Sequence, residues 1–177
     1  MGNAGWRRRP VGASAPWRDW LLNRGLLTRR IEERCKNFSV RLLFQGAARA
    51  GLDERAPGSS HARLVLVREV SLRCGNTPVV FAHSVAQLRH LRGPWRALST
   101  LGSRPLGAAL FENPRVRRHP MRFRKLAPRH ALHQKASRVA GRPLPPLWAR
   151  RTLYTLRRAP ILVTEVFLPA LLNTRNG

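Results

Sequence analysis

LVLVREVSLRCGNTPVVFA, residues 64–82, is the stretch on which the fold turns. From Leu64 to Leu72 the even positions are Leu64, Leu66, Arg68, Val70 and Leu72, while the odd positions include Glu69, Ser71 and, beyond, Arg73. A period of two that gathers apolar residues on one side marks a half-buried strand. Gly75-Asn76 then supplies a tight turn, and Val79 to Ala82 an apolar return run, so the segment reads as a β-hairpin.

Upstream, Phe38 to Phe44 alternates in the same way, with Phe38, Val40, Leu42 and Phe44 expected on one face. Residues 46–61 read as a loop. Trp17 to Cys35 carries helical spacing broken at Asn23-Arg24-Gly25, with Thr28 as a plausible cap for the second piece, which predicts a helix, a turn and a helix. Residues 1–16, rich in Gly, Ala, Pro and Arg, are expected to form a loose leader, with one domain over 17–177. Downstream, Val85 to Arg92 and Trp95 to Leu101 are expected as helices, and Gly102 to Pro105 as a turn. Residues 112–146 are basic, contain Pro and look least like core. Thr152 to Leu156 and Ile161 to Leu168 form a second hairpin across Arg157 to Pro160. The sum is an α+β fold: a single domain built on an antiparallel sheet of about six strands with helices on one side.

The chain has 177 residues, 34 basic and 8 acidic, for a net charge of +26. Such charge recruits polyanions, yet only Lys36, Lys125 and Lys135 are lysines, and so strong an arginine bias is also what GC-rich codons produce. No helix-turn-helix recognition helix, aromatic RNA-binding pair or zinc finger is present, so no specific nucleic-acid partner is expected. No run approaches the roughly 18 apolar residues of a membrane span. Cys35 and Cys74 lack metal-ligand spacing and are expected as reduced thiols in a cytoplasmic, monomeric protein.

Two residues stand out chemically. Arg68 occupies the apolar face of its strand, where a guanidinium needs an anion from the fold or from a ligand. Glu165 lies within the apolar run Ile161 to Pro169, sharing a face with Ile161, Val163 and Phe167. Either the two pair with each other inside the sheet, or both line a cavity for a small anion. His119, His130 and His133 lie in the basic stretch without a nearby carboxylate or Cys and are weak candidates. No nucleophile elbow, phosphate loop or zinc spacing occurs.

LVREVSLRC (66–74), LGSRPLGAALF (101–111), LWARRT (147–152) and ILVTEVFLPA (161–170) resemble, in that order, the chorismate pyruvate-lyases, and DWLLNRGLLTRRIEE (19–33) resembles the family's opening helical segment. The resemblance implies a sheet with helical flaps over an internal site, where chorismate is split into 4-hydroxybenzoate, the ring precursor of ubiquinone, and pyruvate. It implies no metal or organic cofactor. By motif match Arg68 would hold the ring carboxylate and Glu165 the ring hydroxyl, the two forming the catalytic pair. Leu27 and Leu106 would close the site and offer backbone polar groups. Leu27 stands where a methionine can occur, a volume-conserving change, and the arginine-rich stretch between Leu106 and Trp148 departs from the pattern. A non-catalytic, small-aromatic-acid-sensing domain of the same fold type is the alternative. A regulator of that kind needs a DNA-binding winged helix ahead of the sensor, for which sixteen residues are too few.

Overall fold

The computed structural model describes residues 5–49, 51 and 64–174. The hairpin read at residues 64–82 is its centre: β2 (Leu64–Cys74) turns at Gly75, whose φ of 55° suits a residue without Cβ, into β3 (Thr77–Gln87). With β1 (Phe38–Arg49), β4 (Arg117–Arg118), β5 (Arg122–Leu126), β6 (Leu147–Leu156) and β7 (Ala159–Phe167) it builds a seven-stranded sheet in the order β1-β2-β3-β7-β6-β4, with β5 also on β6. Every pairing is antiparallel. The hairpins β2–β3 and β6–β7 meet where Ala82 faces Glu165 and Ser84 faces Val163.

The register puts Arg68, Val70, Leu72, Ala82, Glu165 and Arg150 on one face. On that face lie α1 (Ala15–Leu22) and α2 (Leu27–Glu32), whose Trp20, Leu21, Leu27 and Ile31 pack with Val70, Leu72, Val80 and Phe167. Beside them lies α3 (Leu106–Glu112), whose Leu106 and Leu110 pack with Leu66, Tyr154 and Ile161. The fourth helix, α4 (Ala131–Ala140), covers the other face through Leu132 and Ala136 against Phe81 and Val166.

Several expectations are corrected in detail. A bulge between Leu42 and Phe44 inserts Leu43, so Phe44 pairs with Glu69 and leaves the face of Phe38, Val40 and Leu42. One extra residue inverts the parity of every side chain after it. Residues 46–49 continue β1, and the rest of the expected loop lies outside the described residues except Gly51. Residues 85–87 continue β3, with only a 3₁₀ turn at Leu88–Arg92 and another at Arg96–Thr100. Residues 112–146 hold β4, β5 and α4, with Phe123, Leu126 and Leu132 buried; their arginines lie between the apolar positions and hide the period. From Gly5 onward, the segment expected as a loose leader is docked: Trp6 and Ala13 are buried, and Arg7 exchanges backbone hydrogen bonds of 2.8 and 2.9 Å with Phe123.

Cys35 and Cys74, expected as reduced thiols, form a disulfide with Cα atoms 5.7 Å apart. The β1–β2 register causes it: Phe38 pairs with Cys74, and Cys35 lies three residues ahead of Phe38, so sheet formation delivers one thiol to the other.

Candidate active site

Arg68 is 2% exposed, and its Nη2 donates to the carbonyls of Gly102 at 2.9 Å and Arg104 at 3.0 Å, in the turn that leads into α3. Its Nε, buried as well, has no acceptor among the described residues. Burial pushes the guanidinium below its ordinary pKa, but arginine starts so high that it stays charged. A buried cation satisfied only by carbonyl dipoles remains receptive to an anion.

Glu165 takes Arg150 as its partner rather than Arg68. The Nε of Arg150 donates to Oε2, and its Nη2 lies 3.3 Å from Oε1. The same guanidinium reaches out of the sheet, with Nη1 donating to the carbonyl of Asn23 at 2.8 Å and more weakly to that of Trp20 at 3.5 Å, where α1 ends. Each of these two buried arginines is thus tied to the base of a different helical flap, α1–α2 for Arg150 and α3 for Arg68.

Between flaps and sheet lies a largely enclosed cavity lined by Arg68, Arg150, Glu165, Leu27 and Leu106, with Thr28, Ser84, Arg118 and Tyr154 completing its polar wall. All four residues singled out from the sequence and its resemblance are therefore brought to one cavity. Burial, and secondarily Glu165, raise the Tyr154 phenol above its ordinary pKa of 10.0. The walls leave about 60 Å³, less than the roughly 150 Å³ that admits a benzene ring, so the cavity in this geometry is too tight for a ring.

The histidines stay out of this cavity. His130 caps α4 by accepting from the Leu132 amide, His133 contacts the Pro145 carbonyl at 2.9 Å, and His119 contacts the Thr155 hydroxyl at 3.1 Å. A larger concavity of about 1080 Å³ opens on the α4 face of the sheet, with Arg41, Arg73 and Arg138 among its walls. There Glu69 contacts His83 and Lys135. Burial pushes its carboxyl pKa up, but the hydrogen bonds from His83 and Lys135 win and hold it below its ordinary value. That trough is open to solvent and contains neither Arg68 nor Glu165, so it is the smaller, closed cavity that combines burial with convergent polar groups. Sequence reasoning passed over Arg150 and Tyr154, although the alternation of Trp148, Arg150, Thr152 and Tyr154 carries the same signal as Arg68.

A buried guanidinium at one place and a carboxylate–guanidinium pair at another, roofed by two flaps on an antiparallel sheet, define a domain with a cation-rich internal cavity. A family model described as Chorismate lyase matches residues 2–177. The chain is 50% identical to the probable chorismate pyruvate-lyase of Nitrosomonas europaea over 168 residues and 50% identical to that of Nitrosospira multiformis over 169, covering 94% of both partners in each case. The chain belongs to the chorismate lyase family. Its fold is shared at low identity with the C-terminal domain of PhnF (TM-score 0.58, 17% identical, covering 74% of this chain and 82% of that one). A GntR-family transcriptional regulator from Bacillus cereus shares it too (TM-score 0.54, 12% identical, 75% and 92%).

Proposed function

We propose that this protein splits chorismate into 4-hydroxybenzoate and pyruvate, without metal or organic cofactor, and so supplies the ring precursor of ubiquinone. The observation that carries the reading is the composition of the closed cavity. Its lining holds three guanidiniums, those of Arg68, Arg118 and Arg150, against the single carboxylate of Glu165. That excess of two positive charges matches a substrate with two carboxylates.

In this reading Arg68 receives the ring carboxylate through its Nε edge, which has no acceptor among the described residues. Glu165, held by Arg150, orients the 4-hydroxyl. Leu27 and Leu106 open their helices, so their amides lie in the first turn, where the helix supplies no acceptor and a ligand can. The reaction removes the proton from C4 and breaks the bond between C3 and the ether oxygen; the enolpyruvate released takes up a proton and becomes pyruvate. Aromatisation drives the step, so the protein need only anchor the dianion and keep the enolpyruvyl arm in a reactive geometry. The cytoplasm and a monomeric state belong to the same reading, the latter checked by sedimentation.

The test is incubation of purified protein with chorismate in the presence of a chelator, following 4-hydroxybenzoate and pyruvate together. Equimolar formation of both is expected, and Arg68→Met is expected to weaken product binding more than it slows turnover. Absence of both products from folded protein refutes the lyase reading. Tight binding of 4-hydroxybenzoate without turnover is the result that the sensing alternative requires.

A further inference from the structure

The two flaps touch. A Cβ placed on Gly107, in the first turn of α3, would fall 2.8 Å from Cδ1 of Leu26, which precedes α2, so this glycine permits α3 to close against the other flap. Across the same seam stands Arg118 of β4, a two-residue strand held to the sheet at Tyr154. Its Nη1 donates to the carbonyl of Arg24, in the turn joining α1 to α2. Its Cζ lies 5.1 Å from the ring centre of Phe111, near the end of α3, a cation–π distance. Its Nη2 rests 3.3 Å from the Met121 sulfur, which fixes the guanidinium plane.

We infer that Arg118 is the clip that holds both flaps shut, and that it sets the rate at which the aromatic product leaves. The argument is positional. Arg150 and Arg68 each grip one flap at its base, from beneath. Arg118 grips both, with a hydrogen bond to one and a ring face of the other, and it lines the cavity they cover. Because residues of both flaps and Arg118 line the cavity, passage of a ring-sized ligand between the flaps needs the seam to part. Parting it breaks both contacts together. Arg118 acts here as a positioning residue. The inference rests on the lyase reading only for the identity of the ligand.

Stopped-flow release of 4-hydroxybenzoate from Arg118→Ala, Arg118→Lys and Phe111→Leu tests it, alongside amide hydrogen exchange of residues 23–28 and 105–111 without ligand. Arg118→Ala loses one charge-assisted hydrogen bond and one cation–π contact and is expected to release product roughly 5- to 20-fold faster, with faster exchange in both flaps and a urea midpoint lowered by less than about 1 M. Arg118→Lys keeps a donor for the Arg24 carbonyl and should restore most of the slow release. Phe111→Leu removes only the ring contact and should fall between. Release within twofold of wild type, or accelerated exchange in only one flap, overturns the clip. If wild-type protein neither binds nor forms 4-hydroxybenzoate, the lyase reading fails. The exchange measurement then still decides the clip, since it needs no ligand.

Discussion

Replacing Glu165 by Gln tests whether its partner is Arg150, as the structure has it, rather than Arg68, the partner considered from the sequence. Arg150 has 3% of its side chain exposed and Glu165 18%, so the pair is nearly but not fully desolvated. Removing one partner of a buried ion pair costs about 3 to 5 kcal/mol. Here the cost falls at or below the low end, about 2 to 3 kcal/mol, because Glu165 keeps some water and Arg150 retains the Asn23 carbonyl at 2.8 Å. Arg150→Met leaves the carboxylate without its cation and should cost a similar amount. In the double variant neither charge is stranded, so the sum of the single losses should exceed the double loss by about 2 kcal/mol. Urea unfolding reads this directly: with a slope of about 2 kcal/mol per molar, each single variant shifts the midpoint by about 1 M. The same cycle run with Arg68→Met should give a coupling under about 0.5 kcal/mol, because Arg68 is held by carbonyls rather than by Glu165. Additivity of Glu165→Gln with Arg150→Met, or a larger coupling to Arg68 than to Arg150, would refute the assignment.

The chain contains a single tyrosine, so an ultraviolet pH titration reports Tyr154 alone. Its midpoint should lie above 10.0, and Glu165→Gln should bring it part of the way down. Because the folded pKa is raised, the neutral phenol stabilises the fold below pH 10.0, and that contribution disappears as the pH climbs through the folded value; a midpoint at or below 10.0 contradicts its burial. The β6–β7 turn places two non-glycine residues, Arg157 and Arg158, at φ of 49° and 66°. Replacing them by Asn-Gly, the pair that this turn favours, should stabilise the protein by about 1 to 2 kcal/mol and raise Tm by about 3 to 6 °C, measured by thermal melting. Cys35 and Cys74 close a loop of 39 residues, for which chain entropy gives about 4 kcal/mol. The Cys35→Ser/Cys74→Ser protein should lose stability of that order in urea, and a loss under about 1 kcal/mol would show that the crosslink constrains the unfolded chain little.

How much was legible can be judged residue by residue. Both hairpins, the helical pair at the N-terminal side and the inward direction of Arg68 and Glu165 follow from local alternation, because side-chain parity along a strand is a property of the strand itself. The ordered motifs then carried the family, and with it Leu27 and Leu106. The basic stretch was misread because alternation of arginine with Phe123 and Leu126 looks polar throughout, while long cationic stems can lie over apolar surface with their heads in water.

The sequence by itself determined which face the residues of the two hairpins take, and so committed Arg68 and Glu165 to the interior, since alternation within a strand is local. What only the tertiary structure decided is who meets whom. Strand order sets β6 beside β7 and so gives Glu165 to Arg150, and the β1–β2 register joins Cys35 to Cys74. A bulge sends Phe44 to the far face, and α4 lies on the side opposite the flaps. Partnership across a sheet depends on registers between segments far apart in the chain, and no local period encodes those. The same holds for Arg118, whose two flap contacts come from residues 24 and 111.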